Sequence, residues 1–355
     1  MKTCYINGVG CISTQNTFET EFLSEVTLNE TENVLFANQP SYKEFIPPAM
    51  IRRMAKGVKM GIAASTKALK EANLDLPDAI ITGTGMGCVE DSEKFLKAIL
   101  DNNEQFLTPT SFIQSTHNTV GGQIALGLQC KGYNFTYVNG AVSFETALLD
   151  AKMQVENEEA NNVLIGGVDE TSSHTLELFK LINIIKSEAD KPYSVVTPNS
   201  KGVVFSEGAS FFVLENEKKD NSYASVQAVS IMSALEMDEV QDYIGTFLAA
   251  HDLKPSDIDA VVLGNNGDSE FDGYYDSTKT MFEATPQVFY KHLSGEYNTA
   301  SSFGFWVACN IIKNQELPEI VSLNSLKKEK YTTVLLYNQY RGKDHSLIVL
   351  KNAKT

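Results

Sequence analysis

No stretch of this 355-residue chain is apolar for long enough to cross a membrane as a helix. Its apolar runs, such as Ala260-Val261-Val262-Leu263, are short, the size of strands. Cysteine is scarce. The five present, Cys4, Cys11, Cys88, Cys130 and Cys309, are widely spaced with no C-x-x-C pair. That argues against a disulfide framework or a zinc site and fits small buried hydrophobes in a reducing compartment. Positive charge is also short: 29 Lys and Arg face 45 Asp and Glu, a formal charge of −16. Such a surface repels nucleic acid and anionic lipid, and no basic stripe offsets it. It repels an acidic partner protein for the same reason. Met1-Lys2-Thr3 leads directly into strand-like Cys4-Tyr5-Ile6, leaving no room for a signal peptide, so a cytoplasmic location is expected. Low-complexity segments and long linkers are missing too.

What is present fits a globular protein, with 43% hydrophobic and 21% charged residues. The length allows a large core and two similar halves or domains. After a first strand over Thr3–Asn7 and a turn at Gly8-Val9-Gly10, a loop rich in Thr, Asn and Glu runs to about Pro48. Met50, Met54, Val58, Ile62, Ala63, Thr66 and Leu69 share one face and predict a helix over Ala49–Asn73. A buried strand, Ala79–Thr82, runs into Gly83-Thr84-Gly85-Met86-Gly87. This turn is not a dinucleotide fingerprint, since Cys88 stands where G-x-G-x-x-G needs its last glycine; a tight strand-to-helix turn is the better reading. The pattern continues with a helix over Thr119–Leu128, a strand over Asn134–Val138, a turn at Asn139-Gly140-Ala141, a helix over Ser143–Asn157 and a strand over Asn162–Ile165. A hairpin-like region ends in Ala209–Glu215. A second round opens near residue 220: a strand at Ala224, a helix over Asp238–His251, a strand over Asp259–Gly264 and a helix over Asn298–Lys313. Strands over Thr332–Asn338 and Ser346–Leu350 close the chain. Alternating strands and helices predict an α/β architecture in two related halves, 1–220 and 221–355.

Several motifs, in order, resemble the β-ketoacyl synthases of the thiolase-like fold. Ile6-Asn7-Gly8-Val9-Gly10-Cys11-Ile12-Ser13 looks like the family's opening strand and turn, and Ile51-Arg52-Arg53-Met54 like the basic start of its first long helix. Gly83–Gly87 matches its second-strand glycines, and His117–Ala125 resembles the segment before its nucleophile strand. Ala160–Gly167 and Phe205-Ser206-Glu207-Gly208-Ala209 match the strand after the nucleophile helix and the G-E-G-A turn. The resemblance implies two duplicated βαβαβ halves in a layered α-β-α-β-α core, working as a dimer, with no cofactor and no metal.

The residues that carry the family's chemistry are replaced. Its T-A-C-S-S motif falls on Gly140-Ala141-Val142-Ser143-Phe144, so the nucleophile position is Val142, whose isopropyl group cannot attack a thioester. Ser143 is one residue away without a base and is expected to cap the following helix. The first family histidine falls on Asn266, in Asn265-Asn266-Gly267-Asp268-Ser269. The second falls on Glu296, in Lys291-His292-Leu293-Ser294-Gly295-Glu296, with Lys291 and Gly295 retained. In the family those histidines stabilise the oxyanion that grows as a malonyl thioester loses CO₂. An ionised Glu296 would place negative charge where negative charge must grow. Lys291 is expected in a structural ion pair with Glu207 or Glu296. His292, His117, His174 and His251 read as packing or surface residues.

The resemblance therefore points to an inactive subunit of the chain-length-factor type, paired as a heterodimer with an active ketosynthase or with a second copy of itself, and meeting acyl carrier protein through the partner. Two alternatives stay open. One is an enzyme, a decarboxylase or thioester hydrolase, using Asn266, Glu296 and Lys291. The other is a homodimeric acyl-binding protein. Phe135 and Tyr137 on the strand before the nucleophile turn are expected at the dimer interface, and Phe144 at the acyl tunnel as a gate on chain length.

Overall fold

The computed structural model describes residues 2–354, so Met1 of the signal-peptide argument lies outside the described residues. The strands are β1 (Tyr5–Ile12), β2 (Ala79–Gly83), β3 (Tyr133–Tyr137), β4 (Asn162–Asp169), β5 (Gly208–Glu215), β6 (Ala224–Ser233), β7 (Ala260–Leu263), β8 (Gln287–Phe289), β9 (Thr333–Tyr340) and β10 (Asp344–Lys351). The helices are α1 (Pro48–Ile51), α2 (Lys56–Ala72), α3 (Val89–Asp101), α4 (Pro109–Ser115), α5 (Thr119–Leu128), α6 (Ser143–Glu156), α7 (Ser173–Leu181), α8 (Val240–Ala249), α9 (Tyr274–Met281), α10 (Lys291–Ser294) and α11 (Ser301–Asn314).

The strands join in the order β3-β2-β4-β5-β1-β6-β10-β9-β7-β8. Outward from the β1–β6 junction the first set runs β1, β5, β4, β2, β3, and the second runs β6, β10, β9, β7, β8. Each set has the same ordinal order and the same pairing: two antiparallel ladders, then two parallel ones. Among the described residues a short ladder, Tyr5↔Ser225 and Ile6↔Ala224, links the sets.

Helices fill three layers around these strands. α2 lies on β1, β4 and β5, and α5 on β2 and β3, covering one outer face. On the other outer face, Ile244 and Leu248 of α8 and Tyr275 of α9 pack with Val261, Leu263 and Leu335. Between the sets, α6 touches β2, β4, β5 and β6, while α11 touches β5 and β1 on one side and β9, β7, β6 and β10 on the other. The chain thus adopts the α/β, α-β-α-β-α layering expected from its motifs.

Strand sequences show why both faces are covered. β5 is buried along its whole length. Phe211 points into the cluster under α2, and Phe212 into the central one with Phe144 and Phe305. Side chains of period two, apolar on both faces, leave no wet side.

Several expected elements differ. The helix over Ala49–Asn73 is broken. α1 ends at Ile51, Ala55 is extended, and its N–H donates to Gln114 Oε1 at 3.3 Å before α2 begins. Ala209–Glu215 is not half of a hairpin. It pairs antiparallel with β4 across a long excursion, residues 170–207, that carries α7. Helices α3, α4, α7 and α9 and the three-residue β8 lie in stretches without an expected element, each short or exposed on much of its surface.

β1 approaches α2 so closely that a Cβ on Gly10 would lie 2.1 Å from the Ala64 carbonyl oxygen. That oxygen belongs to helix backbone and cannot swing aside. Gly10→Ala is therefore expected to lower stability by roughly 1–3 kcal/mol, the range for overpacking a tight core. Urea unfolding reads this directly, and an unchanged midpoint would contradict the close approach.

Candidate functional site

Two of the expected positions meet in direct contact. Asn266 sits in the loop after β7. Asp272 clamps that loop, with its Oδ1 accepting from the Asn266 N–H at 3.2 Å and its Oδ2 from the Gly267 N–H at 2.8 Å. On the other side, α10 ends at Gly295, whose φ of +68° turns the chain in a way that disfavours any side chain. Glu296 follows. Its N–H donates to the Val204 carbonyl and its own carbonyl accepts from the Ser206 N–H, both at 2.9 Å. The backbone of Glu296 is thus stitched to the segment leading into β5, which fixes where its side chain can reach.

The Glu296 carboxylate oxygen Oε2 accepts from Asn266 Nδ2 at 2.6 Å and from Lys291 Nζ at 2.7 Å. Lys291 Nζ also donates to Asn338 Oδ1 at 2.9 Å. All three site residues are buried, with Asn266 6%, Lys291 3% and Glu296 3% exposed. An ion pair this enclosed holds only because hydrogen bonds satisfy its members. Removing one partner from such a pair costs about 3–5 kcal/mol by stranding the other's charge. Lys291 was expected to pair with Glu207 or Glu296, and its partner is Glu296; Glu207 instead binds Lys56 Nζ at 2.5 Å and the Thr171 N–H at 2.9 Å.

Beside the pair lies a cavity of about 30 Å³ lined by Asn266, Lys291, His292, Lys186, Tyr193 and Val204. It holds on the order of one water molecule. Lys186 spends its donors on the Ser200 carbonyl (3.0 Å), the Ser200 hydroxyl (3.0 Å) and the Gly267 carbonyl (2.7 Å), tying down the Asn266 loop. Burial pulls its ammonium below the usual lysine range, and Asp268, Asp190 and Asp272 oppose that pull.

Val142 lies outside this cluster. It closes a single turn of 3-10 helix, Gly140–Val142, between β3 and α6 and is 2% exposed. Its carbonyl accepts from the Thr146 hydroxyl at 2.7 Å. A one-residue shift in the motif's register gives Ala141 on one side, which has no nucleophile, and Ser143 on the other, whose hydroxyl is engaged within the turn. Ser143 does not cap α6 as expected. Its hydroxyl accepts from the Asn139 N–H at 2.8 Å and donates to the Gly140 carbonyl at 2.7 Å, bracing the turn. None of the histidines considered from sequence faces Glu296 through a hydrogen bond. His117 and His174 are exposed, and His251 caps its own helix through Phe247. His292 Nε2 meets the Ile320 carbonyl at 2.9 Å while its ring stacks on Phe289; burial pushes its pKa down to about 4.

Phe144 is fully buried, its ring 5.8 Å from Phe212 and 5.4 Å from Phe305, inside the aromatic core. Phe135 and Tyr137 are on β3, which is the edge strand of its set. Tyr133, Phe135 and Tyr137 form a ladder with ring centroids 6.1 and 4.8 Å apart, and Phe135 is 45% exposed. Asp150 of α6 accepts from both tyrosine hydroxyls, at 3.1 and 3.2 Å, and holds the outer rings upright.

Three residues of the site were not foreseen: Asn338, Asp272 and Glu145. Asn338 is the polar residue that ends the apolar run Val334-Leu335-Leu336-Tyr337, and a buried strand seldom carries an amide unless something nearby needs it. Glu145, in the first turn of α6, is fully buried. Its Oε1 accepts from Ser346 at 2.8 Å while Oε2 has no hydrogen-bond partner among the described residues. Burial pushes this carboxyl above its usual range.

Burial likewise pushes Asp272 up to about 6, against the Asn266 and Gly267 N–H groups that favour its charged form. Its folded value lies above the unfolded one, so its contribution to stability is full below about pH 3.9 and is lost as pH rises through about 6. Asp272→Asn, which keeps an acceptor but cannot ionise, should remove that part of the pH dependence. Thermal midpoints of the two proteins between pH 4 and 7 test this. Parallel curves would refute the assignment.

Comparison with known proteins places the fold. The family model described as "Beta-ketoacyl synthase, N-terminal domain" matches residues 30–220, more than half of the chain. A 3-oxoacyl-[acyl-carrier-protein] synthase 2 from Staphylococcus aureus is 24% identical over 231 residues, covering 61% of this chain and 54% of that protein; the match thus spans about half the length of such curated relatives. A crystal structure of a β-ketoacyl synthase from Burkholderia phymatum superposes with a TM-score of 0.82 at 16% identity, over 99% of this chain and 100% of the other. The ishigamide ketosynthase/chain length factor gives 0.77 at 18% identity, over 99% of both chains. A ketosynthase in complex with its chain length factor from Xenorhabdus doucetiae gives 0.74 at 13% identity, over 99% of this chain and 98% of the other. Among the described residues no helix is long and apolar enough to cross a membrane.

Proposed function

The chain belongs to the β-ketoacyl synthase family, and from that membership we propose that it is a non-condensing subunit of the chain-length-factor type, paired with an active ketosynthase in fatty acid or polyketide synthesis. The observation that carries the proposal is the closed Asn266–Glu296–Lys291 cluster. In this reading Asn266 and Glu296 occupy the places of the family's two histidines, and Val142 that of its nucleophile. A carboxylate fixed against both groups puts negative charge where a thioester oxyanion would have to grow and engages the donors that would stabilise it. With valine in the turn, no acyl-enzyme forms. Division of the chain into halves 1–220 and 221–355 belongs to the same reading.

The partner face in this proposal is β3. An edge strand with a row of exposed aromatic rings and unpaired backbone groups is a liability unless another chain covers it. Aromatic residues at the centre of an interface are also what binding favours. Two structural neighbours are themselves described as ketosynthase and chain length factor. The acidic balance of this chain leaves the docking of an acidic carrier protein to the partner. A chain-length gate at Phe144 would require its contacts with Phe212 and Phe305 to loosen when an acyl chain enters.

Co-expression with an active ketosynthase from the same gene neighbourhood should give a stable heterodimer on size-exclusion chromatography. Phe135→Asp should abolish it by burying an uncompensated charge, at a cost on the order of several kcal/mol. A chain that stays homodimeric, with no synthase co-purifying, would sink the proposal in favour of the acyl-binding alternative.

A further inference from the structure

We infer that the pocket between Asn266 and Lys291 is a carboxylate-binding site whose ligand is the protein's own Glu296 side chain, a built-in occupant that keeps small acyl carboxylates out. The inference rests on reading this cluster as the family's reaction site, and it adds what the cluster binds.

The donors form a recognition set rather than a casual contact. One cation, Lys291 Nζ, and one amide N–H, Asn266 Nδ2, converge on the same oxygen at 2.7 and 2.6 Å. Both donors are themselves anchored. Asn266 accepts the Asp268 N–H at 3.1 Å, and its backbone N–H is held by Asp272. Lys291 is held from behind by Asn338. Removing the Glu296 side chain would therefore leave a rigid cation-and-amide pair facing a void, with the charge of Lys291 unpaired. A free monocarboxylate brings back both the charge and the oxygen acceptors. In the intact chain the occupant is covalently attached, its backbone pinned by Val204 and Ser206, and the space left beside it is only about 30 Å³. It cannot diffuse away, so the free carboxylate of a malonyl group finds no vacancy. A subunit locked in this way does not compete with its partner for small acyl groups.

Chemical rescue tests the inference. Glu296→Ala should unfold at a lower temperature than the wild type. Sodium acetate or formate should raise its midpoint saturably, by at least about 2 °C, relative to sodium chloride at matched ionic strength. The wild type and Glu296→Gln, whose pockets stay filled, should not respond beyond the chloride control. The double variant Glu296→Ala/Lys291→Met should lose the response, because the cation is gone. If Glu296→Ala does not fold in chloride, refolding from urea reads the same property: acetate should raise the folded yield of the single variant and leave the double variant unchanged. Rescue absent from the single variant in both formats, or equal in the double variant, overturns the inference. These readouts use the isolated chain, so a failure here is separate from a failure to pair with a ketosynthase.

Discussion

Much of this molecule follows from one constraint: α11, and α6 to a large extent, lie between two sets of strands and have little solvent to face. Twelve residues of α11, Ser301 to Ile312, are buried in succession, and no amphipathic pattern survives along them. Polar groups in this layer are under pressure to find a partner inside the protein, because an unpaired buried donor or acceptor costs free energy; Glu145 Oε2 and Ser301 Oγ are exceptions among the described residues. The polar groups accordingly gather where the layer begins, at the first turns of the two helices and in the loops that feed them. Asp169 shows the pattern. Its carboxylate takes the Thr299 N–H and hydroxyl on one oxygen, and the Gly85 and Met86 N–H groups and the Thr84 hydroxyl on the other, lacing the loop before α11 to the turn after β2.

The same constraint gives the Glu296 cluster its meaning. A charge can live at this depth only with fixed partners, and Glu296, Lys291, Asn266 and Asn338 supply one another. Such an arrangement suits a protein that keeps one conformation at the site. Under the proposed function, a fixed carboxylate there opposes the negative charge that acyl transfer must develop. The braced turn at Gly140–Ser143 has the same character: a helix entry held by the Ser143 hydroxyl, with the aliphatic Val142 where the proposal puts the family's nucleophile.

The sequence made the central part of this legible, and the physics explains which part. Strands buried on both faces, such as Val163-Leu164-Ile165 and Ala260–Leu263, are short apolar runs bounded by turns, and α5 matched its expected limits because its apolar residues recur cleanly. The break before Lys56 was hidden, because Met50, Met54 and Val58 continue one helical face across an extended residue. Helix α3 carries an apolar stripe, Phe95, Leu96, Ile99 and Leu100, that no expected element covers, and it leaves Leu96 and Leu100 exposed, as α7 leaves Leu178 and Leu181. At the site, the Lys291–Glu296 pair was one of two expected partners, resolved by the turn at Gly295. Asn338 escaped because it acts across the fold from a strand remote in sequence, and Asp272 because, though only six residues after Asn266, it binds the loop through backbone N–H groups that leave no side-chain pattern.

The claim at the centre is that this chain cannot hold an acyl group covalently. Intact-mass spectrometry of the purified protein after incubation with acyl and malonyl carrier proteins, alone and in complex with an active ketosynthase, measures it most directly. The account predicts that this chain keeps its unmodified mass in both samples while the ketosynthase gains the acyl increment. A stoichiometric acyl adduct on a single residue of this chain would contradict it.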